Sequence, residues 1–335
     1  MRQDKVAVIG GGSWGTALAF LVSRRGGPVV QWARDKYLVS EIQERRQNPI
    51  YMMGFEYPDN LQATNELSEA VRNAKYIISV TPSHTVRQVM NDCVPHLDPE
   101  AIIISASKGI EQGTLSLMSE VLRDVLPKSF EHRLSFLAGP SFAKEVAEKK
   151  PTAVVVAAED QAIADQVQHL FSVENMLVYT TQDVIGAELG GALKNVIAIA
   201  AGIGEGMELG ANAQAAIITR GIAEIGRLAV KLGGDILTLA GLAGIGDLSL
   251  TCTGKLSRNR TFGYELGRGK TRQEIERSMR QVAEGVRTAK SAFELAAKNQ
   301  VEMPITDQVF RVLYEDLPAR QALKNLMSRV VHKEF

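Results

Sequence analysis

Residues 6–22 read VAVIGGGSWGTALAFLV: four apolar residues, then Gly10-x-Gly12-x-x-Gly15, then an apolar stretch. No other stretch restricts the fold so tightly. A strand must turn sharply into a helix within a few residues. The glycines permit that turn, a close backbone approach to a pyrophosphate, and tight packing of helix on strand. The N-terminus of the following helix presents unpaired N–H groups to phosphate. The motif alone also fits a glycine-rich turn with no ligand. Placed at the first strand–helix junction of a long alternating pattern, it predicts a dinucleotide site built on Gly10, Gly12 and Gly15.

The alternation continues. VVQWA (29–33), YIISV (76–80), AIIISAS (101–107), LSFLAG (134–139), AVVVAA (153–158) and MLVYT (176–180) are short runs, several of them β-branched and nearly continuous in apolarity. Such runs suit strands covered on both faces. Helical stretches such as TALAFLVSRRG and TVRQVMNDCVPHL separate several of them, which implies βαβ units and a mostly parallel sheet. Beyond about residue 182 the period is helical. A chain of 335 residues also exceeds the roughly 250–300 at which one core stops growing. The expected fold is therefore α/β: a Rossmann-like sheet domain over 1–182 and an all-α domain over 183–335. Ligands are expected in the cleft between two such domains.

Lys+Arg and Asp+Glu both number 38, so no global field draws this chain to nucleic acid or an anionic membrane. Two cysteines without a CxxC pattern and five scattered histidines give no support to a disulfide framework or a metal site. The N-terminus lacks the parts of a signal peptide, which points to the cytoplasm. Residues 185–204 are apolar enough to resemble a membrane span, but Glu188, Lys194 and Asn195 interrupt them. Charge at the centre of a span is expensive, so a helix buried in protein is expected.

Cofactor choice turns on the second strand, which ends QWARD. Arg34 and Asp35 fall about twenty residues beyond Gly15, where an acid suits a ribose hydroxyl and an arginine a 2′-phosphate. Arg34 comes first after the strand, which favours NADPH and leaves NADH as the alternative. Lys108 follows one strand; Gly139 and Ser141 follow another. Ligands of open α/β sheets bind beyond the carboxyl ends of strands, so both ends are candidates to border one pocket.

In the second half, Asp247 and Thr251 stand four apart, on one face of a helix. Ser257, Arg258 and Asn259 offer a hydroxyl, a guanidinium fork and an amide, a set suited to phosphate; a plain polar loop is the alternative. Lys194 stands in ELGGALKNVIAIAAG, a stretch otherwise made for burial. Helical side chains lean toward the N-terminus, so Lys194 should project over Gly190 and Gly191. The missing side chains would leave a gap able to admit a small polar substrate. A lysine snorkelling to the surface is the rival reading.

Taken in order, GGGSWGTALA, VTPSH, SASKGIE, AGPSFAKE, LGGALKNVIAIAAG, GANAQAAIITRG, AGIGDLSLTCT, SRNR and MPIT span nearly the whole chain. In this the chain resembles the bacterial-type NAD(P)-dependent glycerol-3-phosphate dehydrogenases. The resemblance implies a homodimer interconverting dihydroxyacetone phosphate and sn-glycerol 3-phosphate for phospholipid synthesis, with Lys194 as proton acceptor in the oxidative direction. It implies cofactor contacts from Ser13, Trp14, Arg34, Lys108, Ala143, Arg258, Val282 and Glu284. The substrate would meet Lys108, Gly139, Ser141, Lys194, Asp247, Ser257, Arg258 and Asn259, with Asn195 and Thr251 in the same pocket. A free lysine titrates near ~10.4 and is a poor base at neutral pH. Burial and the charges of Lys108, Arg258 or an oxidised nicotinamide would lower that value, while Asp247 and the substrate phosphate would raise it. Two rivals remain, a hydroxy-acid dehydrogenase of similar layout and a non-catalytic dinucleotide sensor. The phosphate-suited cluster disfavours the first, and the Lys194–Asn195 pair in an apolar helix disfavours the second.

Overall fold

The computed structural model describes residues 4–279 and 283–329. Contacts divide the chain into two compact units, Met1–Glu111 with Ser116–Glu188, and Gln112–Leu115 with Leu189–Phe335.

The first unit contains strands β1 (Val6–Ile9), β2 (Val29–Trp32), β3 (Gln47–Asn48), β4 (Met52–Glu56), β5 (Leu61–Thr64), β6 (Tyr76–Ser79), β7 (Ile102–Ser105), β8 (Leu134–Ala138), β9 (Thr152–Ala157) and β10 (Met176–Thr181). Eight form one sheet in the order β10-β9-β8-β7-β6-β1-β2-β5. Neighbours run parallel except β8 and β9, which are antiparallel. Their connection carries only the five-residue helix Ala143–Ala147, too little for a crossover that would return a strand in the same direction. Every apolar run read as a strand is one. The sequence reading missed β5, a polar edge strand, and the β3–β4 ribbon.

Val6, Val8, Ile78, Ile102 and Ile104 share one core with Leu18, Leu21 and Val22 of helix Ser13–Ser23 and with Ile163 and Val167 of helix Gln161–Phe171. Full burial of each such side chain contributes roughly 1.5–3 kcal/mol. Strand order reverses at β1, whose neighbours β2 and β6 lie on opposite sides. The carboxyl end of such a switch point is where open sheets take ligands. The Gly10–Gly15 turn stands there.

Among the described residues, the chain after β10 forms only helices and their connections. The longest, Val184–Gly206, is apolar enough to cross a membrane, yet 83% of its most apolar window is buried in this protein.

Helix Pro304–Tyr314 shows how the second unit spends a charge on structure. Met303 cannot cap it, so Glu224, from helix Gly210–Lys231, accepts hydrogen bonds from Ile305 N (2.6 Å), Thr306 N (3.1 Å) and Thr306 Oγ1 (3.1 Å). Burial pushes the Glu224 carboxyl up to about 7, against the pull of those three donors. The folded state therefore holds this proton more tightly than the unfolded state does, whose ordinary value is 4.5. The group's stabilising contribution is complete below pH 4.5 and is lost as pH rises through about 7. Glu188, held by Ser119 N at 2.9 Å and pushed to about 7 by burial, acts in the same direction. Urea unfolding between pH 5 and 8 should show stability falling with pH. Glu224→Gln should remove one proton's share of that slope, about 1.4 kcal/mol per pH unit. An unaltered slope in the variant would clear Glu224 of this role.

Candidate active site

In the first unit, the turn after β1 is fixed by contacts that only glycine allows. Gly10 has φ +148°, and a Cβ there would lie 2.8 Å from the Val80 carbonyl oxygen. A Cβ on Gly15 would lie 2.1 Å from the Gly10 carbonyl oxygen. Gly12 is different: a Cβ there would meet nothing within 4 Å. Its lack of a side chain is not needed for packing, but it leaves the backbone open to a ligand. Helix Ser13–Ser23 behind it has no side-chain cap and no acid in its first turn, so its N-terminus suits an anion. Trp14 Nε1 is buried and has no hydrogen-bond partner among the described residues. These features fit the pyrophosphate of a dinucleotide.

The turn is held from behind by residues the sequence reading overlooked. Gln31 Nε2 donates to Gly10 O (2.8 Å) and Thr16 Oγ1 (3.1 Å), and Tyr57 OH donates to Gln31 Oε1 (2.6 Å). Asn48 Nδ2 donates to Gly11 O and Thr16 Oγ1, both at 3.0 Å. The β3–β4 ribbon thus has a function: it delivers Asn48. Burial pushes the Tyr57 hydroxyl up to about 12, so it remains a donor at any physiological pH. The signal was a glutamine inside an apolar strand.

Further along the sheet, the residues after β7 and β8 come together. Gly139, at φ +108°, turns its carbonyl to accept from Lys108 Nζ (3.3 Å) and Ser141 Oγ (3.1 Å). Lys108, Gly139 and Ser141 are therefore neighbours at two strand ends. Ala143 starts the short helix that packs on helix Ser13–Ser23. Arg34 is exposed just beyond β2.

In the second unit, Lys194 is 8% exposed and its Nζ pairs with Asp247 Oδ1; Asp247 is fully buried. Lys194 does not snorkel. The expected gap over Gly190 is a correction: a Cβ on Gly190 would lie 2.3 Å from the Ala243 carbonyl oxygen. The space is filled by the backbone of the π-type turn Leu242–Gly246. That close approach has its own consequence, since the turn leads directly into helix Asp247–Thr253 and brings the carboxylate to the lysine. Two buried opposite charges hold each other where either alone would be prohibitive.

Around this pair the polar side chains are largely committed. Thr251 Oγ1 donates to Asp247 O (2.6 Å). Ser257 caps helix Arg258–Gly267 by accepting from Arg260 N (3.2 Å). Asn259 Nδ2 donates to Asn195 Oδ1 (2.8 Å), and Asn259 Oδ1 accepts from Gly285 N (2.9 Å). Ser257 and Asn259 are buried, whereas Arg258 between them is exposed. Glu284 begins helix Glu284–Lys298, one residue before Gly285. Val282 lies outside the described residues.

A doubly wound sheet with an open glycine turn, and a helical unit built round a buried lysine–carboxylate pair, define the class: an NAD(P)-dependent oxidoreductase. Family models narrow it. Residues 5–164 match the N-terminal model, and residues 183–324 the C-terminal model, of NAD-dependent glycerol-3-phosphate dehydrogenase. The chain is 50% identical over 331 residues, 99% of each chain, to the NAD(P)+ glycerol-3-phosphate dehydrogenase of Geobacter sp. (strain M21). It is 51% identical to that of Geobacter metallireducens, with 97% of each chain covered. The crystal structure of glycerol-3-phosphate dehydrogenase from Coxiella burnetii is similar at TM-score 0.94 and 38% identity, covering 98% of this chain and 100% of that one. The chain belongs to the NAD-dependent glycerol-3-phosphate dehydrogenase family.

Proposed function

We propose that this chain interconverts dihydroxyacetone phosphate and sn-glycerol 3-phosphate, using NADPH or NADH, with Lys194 as general acid and base. The sheet unit is the dinucleotide-binding part, and the helical unit carries the chemistry. The buried Lys194–Asp247 pair is the observation that carries this reading, because a dinucleotide sensor has no use for an ionised amine enclosed in an apolar helix.

A bound reduced nicotinamide would supply the hydride. Gly12 and the uncapped start of helix Ser13–Ser23 would receive its pyrophosphate, with Ser13, Trp14, Arg34, Lys108, Ala143, Val282 and Glu284 as further contacts. Lys194 gives a proton from Nζ to the ketone oxygen as that oxygen becomes an alcohol, and takes it back in the oxidation. Asp247, paired with the amine, fixes where it points. The family resemblance adds Lys108, Gly139 and Ser141 as substrate contacts. Ser257, Arg258 and Asn259 form the phosphate end, where the exposed Arg258 supplies the guanidinium fork. We further place the protein in the cytoplasm as a homodimer feeding phospholipid synthesis, on the strength of the family resemblance.

Loss of NADPH absorbance on adding dihydroxyacetone phosphate tests the activity. Oxidation with 2-keto acids instead would favour a hydroxy-acid dehydrogenase, and silence toward every substrate a sensor. Arg258→Ala should raise KM for dihydroxyacetone phosphate by roughly 10- to 100-fold, the worth of charge-assisted hydrogen bonds. An unchanged KM would place the phosphate elsewhere.

A further inference from the structure

Gly10, Gly11 and Gly12 have no side chains, so an anion at this turn is met there by backbone alone. Which backbone groups face it depends on how the two peptides between Gly10 and Gly12 are rotated. In a planar trans peptide the N–H points opposite to the C=O. The Gly10 carbonyl therefore sets the direction of the Gly11 N–H, and the Gly11 carbonyl that of the Gly12 N–H.

Both carbonyls are held by buried side-chain amides. Gln31 Nε2 donates to Gly10 O (2.8 Å), and Asn48 Nδ2 donates to Gly11 O (3.0 Å). An amide reversed end for end would set oxygen against oxygen, so something must fix which end faces the turn. Each amide has such an anchor. Tyr57 OH donates to Gln31 Oε1 (2.6 Å), while Asn48 Oδ1 accepts from Ile50 N (3.3 Å) and Tyr51 N (3.0 Å). With the oxygens occupied, the nitrogens are left for the turn, and Thr16 Oγ1 accepts from both. Thr16 and Tyr57 are buried as well, so bulk water does not compete for these bonds. The N–H groups of Gly11 and Gly12 have no acceptor among the described residues.

We propose that Gln31 and Asn48 are positioning residues for the cofactor. They rotate the Gly10–Gly11 and Gly11–Gly12 peptides so that two N–H groups face the dinucleotide pyrophosphate, and Tyr57 fixes the Gln31 amide that does so. The same bonds polarise the two peptides, because a carbonyl that accepts a hydrogen bond makes the N–H of its peptide a better donor. Dinucleotide affinity then depends on the β3–β4 ribbon, which supplies Asn48, although neither Gln31 nor Asn48 touches the ligand. The inference rests on the reading of the glycine turn as a dinucleotide site.

The test compares calorimetric Kd values for NADPH and ADP-ribose with kcat and KM for dihydroxyacetone phosphate, on the full chain well below its melting temperature. Asn48→Leu removes the donor at similar volume. It should raise Kd for both ligands about 10-fold or more, as expected for a misaimed charge-assisted hydrogen bond. At saturating NADPH, kcat and KM for dihydroxyacetone phosphate should stay within about threefold, since the chemistry is untouched. Tyr57→Phe keeps the ring edge-on to Phe20 (centroids 5.1 Å apart) and serves if Asn48→Leu does not fold. It should raise both Kd values about threefold or more, the worth of one lost neutral hydrogen bond. In wild type, the amide proton resonances of Gly11 and Gly12 should move downfield on saturation with ADP-ribose, and less so in the variants. Unchanged Kd values, a kcat that falls in step with affinity, or wild-type resonances that stay in place each overturn the proposal. A wild type that binds neither ligand refutes the dinucleotide reading itself, whereas normal binding by the variants refutes only the positioning.

Discussion

Replacing Lys194 with alanine is expected to cut kcat for dihydroxyacetone phosphate by ~10²- to 10⁴-fold, the usual contribution of a placed general acid. NADPH binding, which we propose for the sheet unit in the main, should persist. The variant also takes the Lys194 ammonium from beside the buried Asp247, and breaking a buried ion pair costs about 3–5 kcal/mol. Lost activity could then be mistaken for lost structure. The double variant Lys194→Ala/Asp247→Asn separates the two, because it removes both charges and should recover most of the stability but none of the turnover. Small primary amines added to the single variant should restore part of the rate if a proton donor is what is missing. Turnover within a few-fold of wild type in the double variant would remove Lys194 from the mechanism.

Why this lysine stands out by its own surroundings, while its neighbourhood with Asp247 was implied only by the family resemblance, follows from the range of the forces involved. An amine in an apolar helix violates local periodicity and is visible at once. Asp247 stands 53 residues away, and nothing local tells that it meets Lys194. That pairing depends on Gly190, where a Cβ would lie 2.3 Å from the Ala243 carbonyl oxygen. The sequence reading took that glycine for an empty space; it is a point of contact. Glu224 was likewise readable in principle. It shares the buried face of helix Gly210–Lys231 with Gly221, Ile225 and Leu228, and a carboxylate on such a face must be satisfied somewhere. Where it is satisfied, at the start of a helix some eighty residues on, only the fold reveals.

The strands tell the same story. β1, β6 and β7 are central and covered on both faces, so their apolarity declares them. β5, with sequence LQAT, lies at the sheet edge and is held by parallel pairing to β2. Its residues carry no pattern strong enough to compete with a loop. The nucleotide turn was legible because glycine is required at fixed spacing. Its supports, Gln31, Asn48 and Tyr57, were not, because buried polar networks are assembled from residues distant in sequence.

The second large effect concerns the contact of helices Val184–Gly206 and Arg258–Gly267. A Cβ on Gly202 would lie 2.0 Å from Arg260 O, on Gly206 2.2 Å from Tyr264 O, on Gly263 2.0 Å from Ile199 O, and on Gly267 2.4 Å from Ile203 O. The pairs advance together along both helices, so the helices run in the same direction with backbone against backbone. The Asn195–Asn259 hydrogen bond continues the same register toward Lys194 and Arg258. An alanine normally improves a helix by about 1 kcal/mol over glycine. Here a methyl group would have to enter space where carbon and oxygen need about 3.3 Å. Gly202→Ala and Gly263→Ala should therefore each destabilise by roughly 3 kcal/mol, the upper end of overpacking, and lower the melting temperature by about 10 °C. Gly204→Ala is the internal comparison. It stands between the two contact glycines, yet its added Cβ would meet only the tip of the Ile217 side chain at 3.1 Å and Leu209 Cδ1 at 3.7 Å. It should be neutral or slightly stabilising. The catalytic consequence is separate: helices pushed apart by 1 Å misplace Lys194 relative to Arg258, and such an error can cost about 10²-fold in rate. Gly263→Ala should thus lose kcat/KM well below its melting temperature. Equal melting of the Gly202→Ala and Gly204→Ala proteins would show that the backbone contact does not set the spacing of these helices.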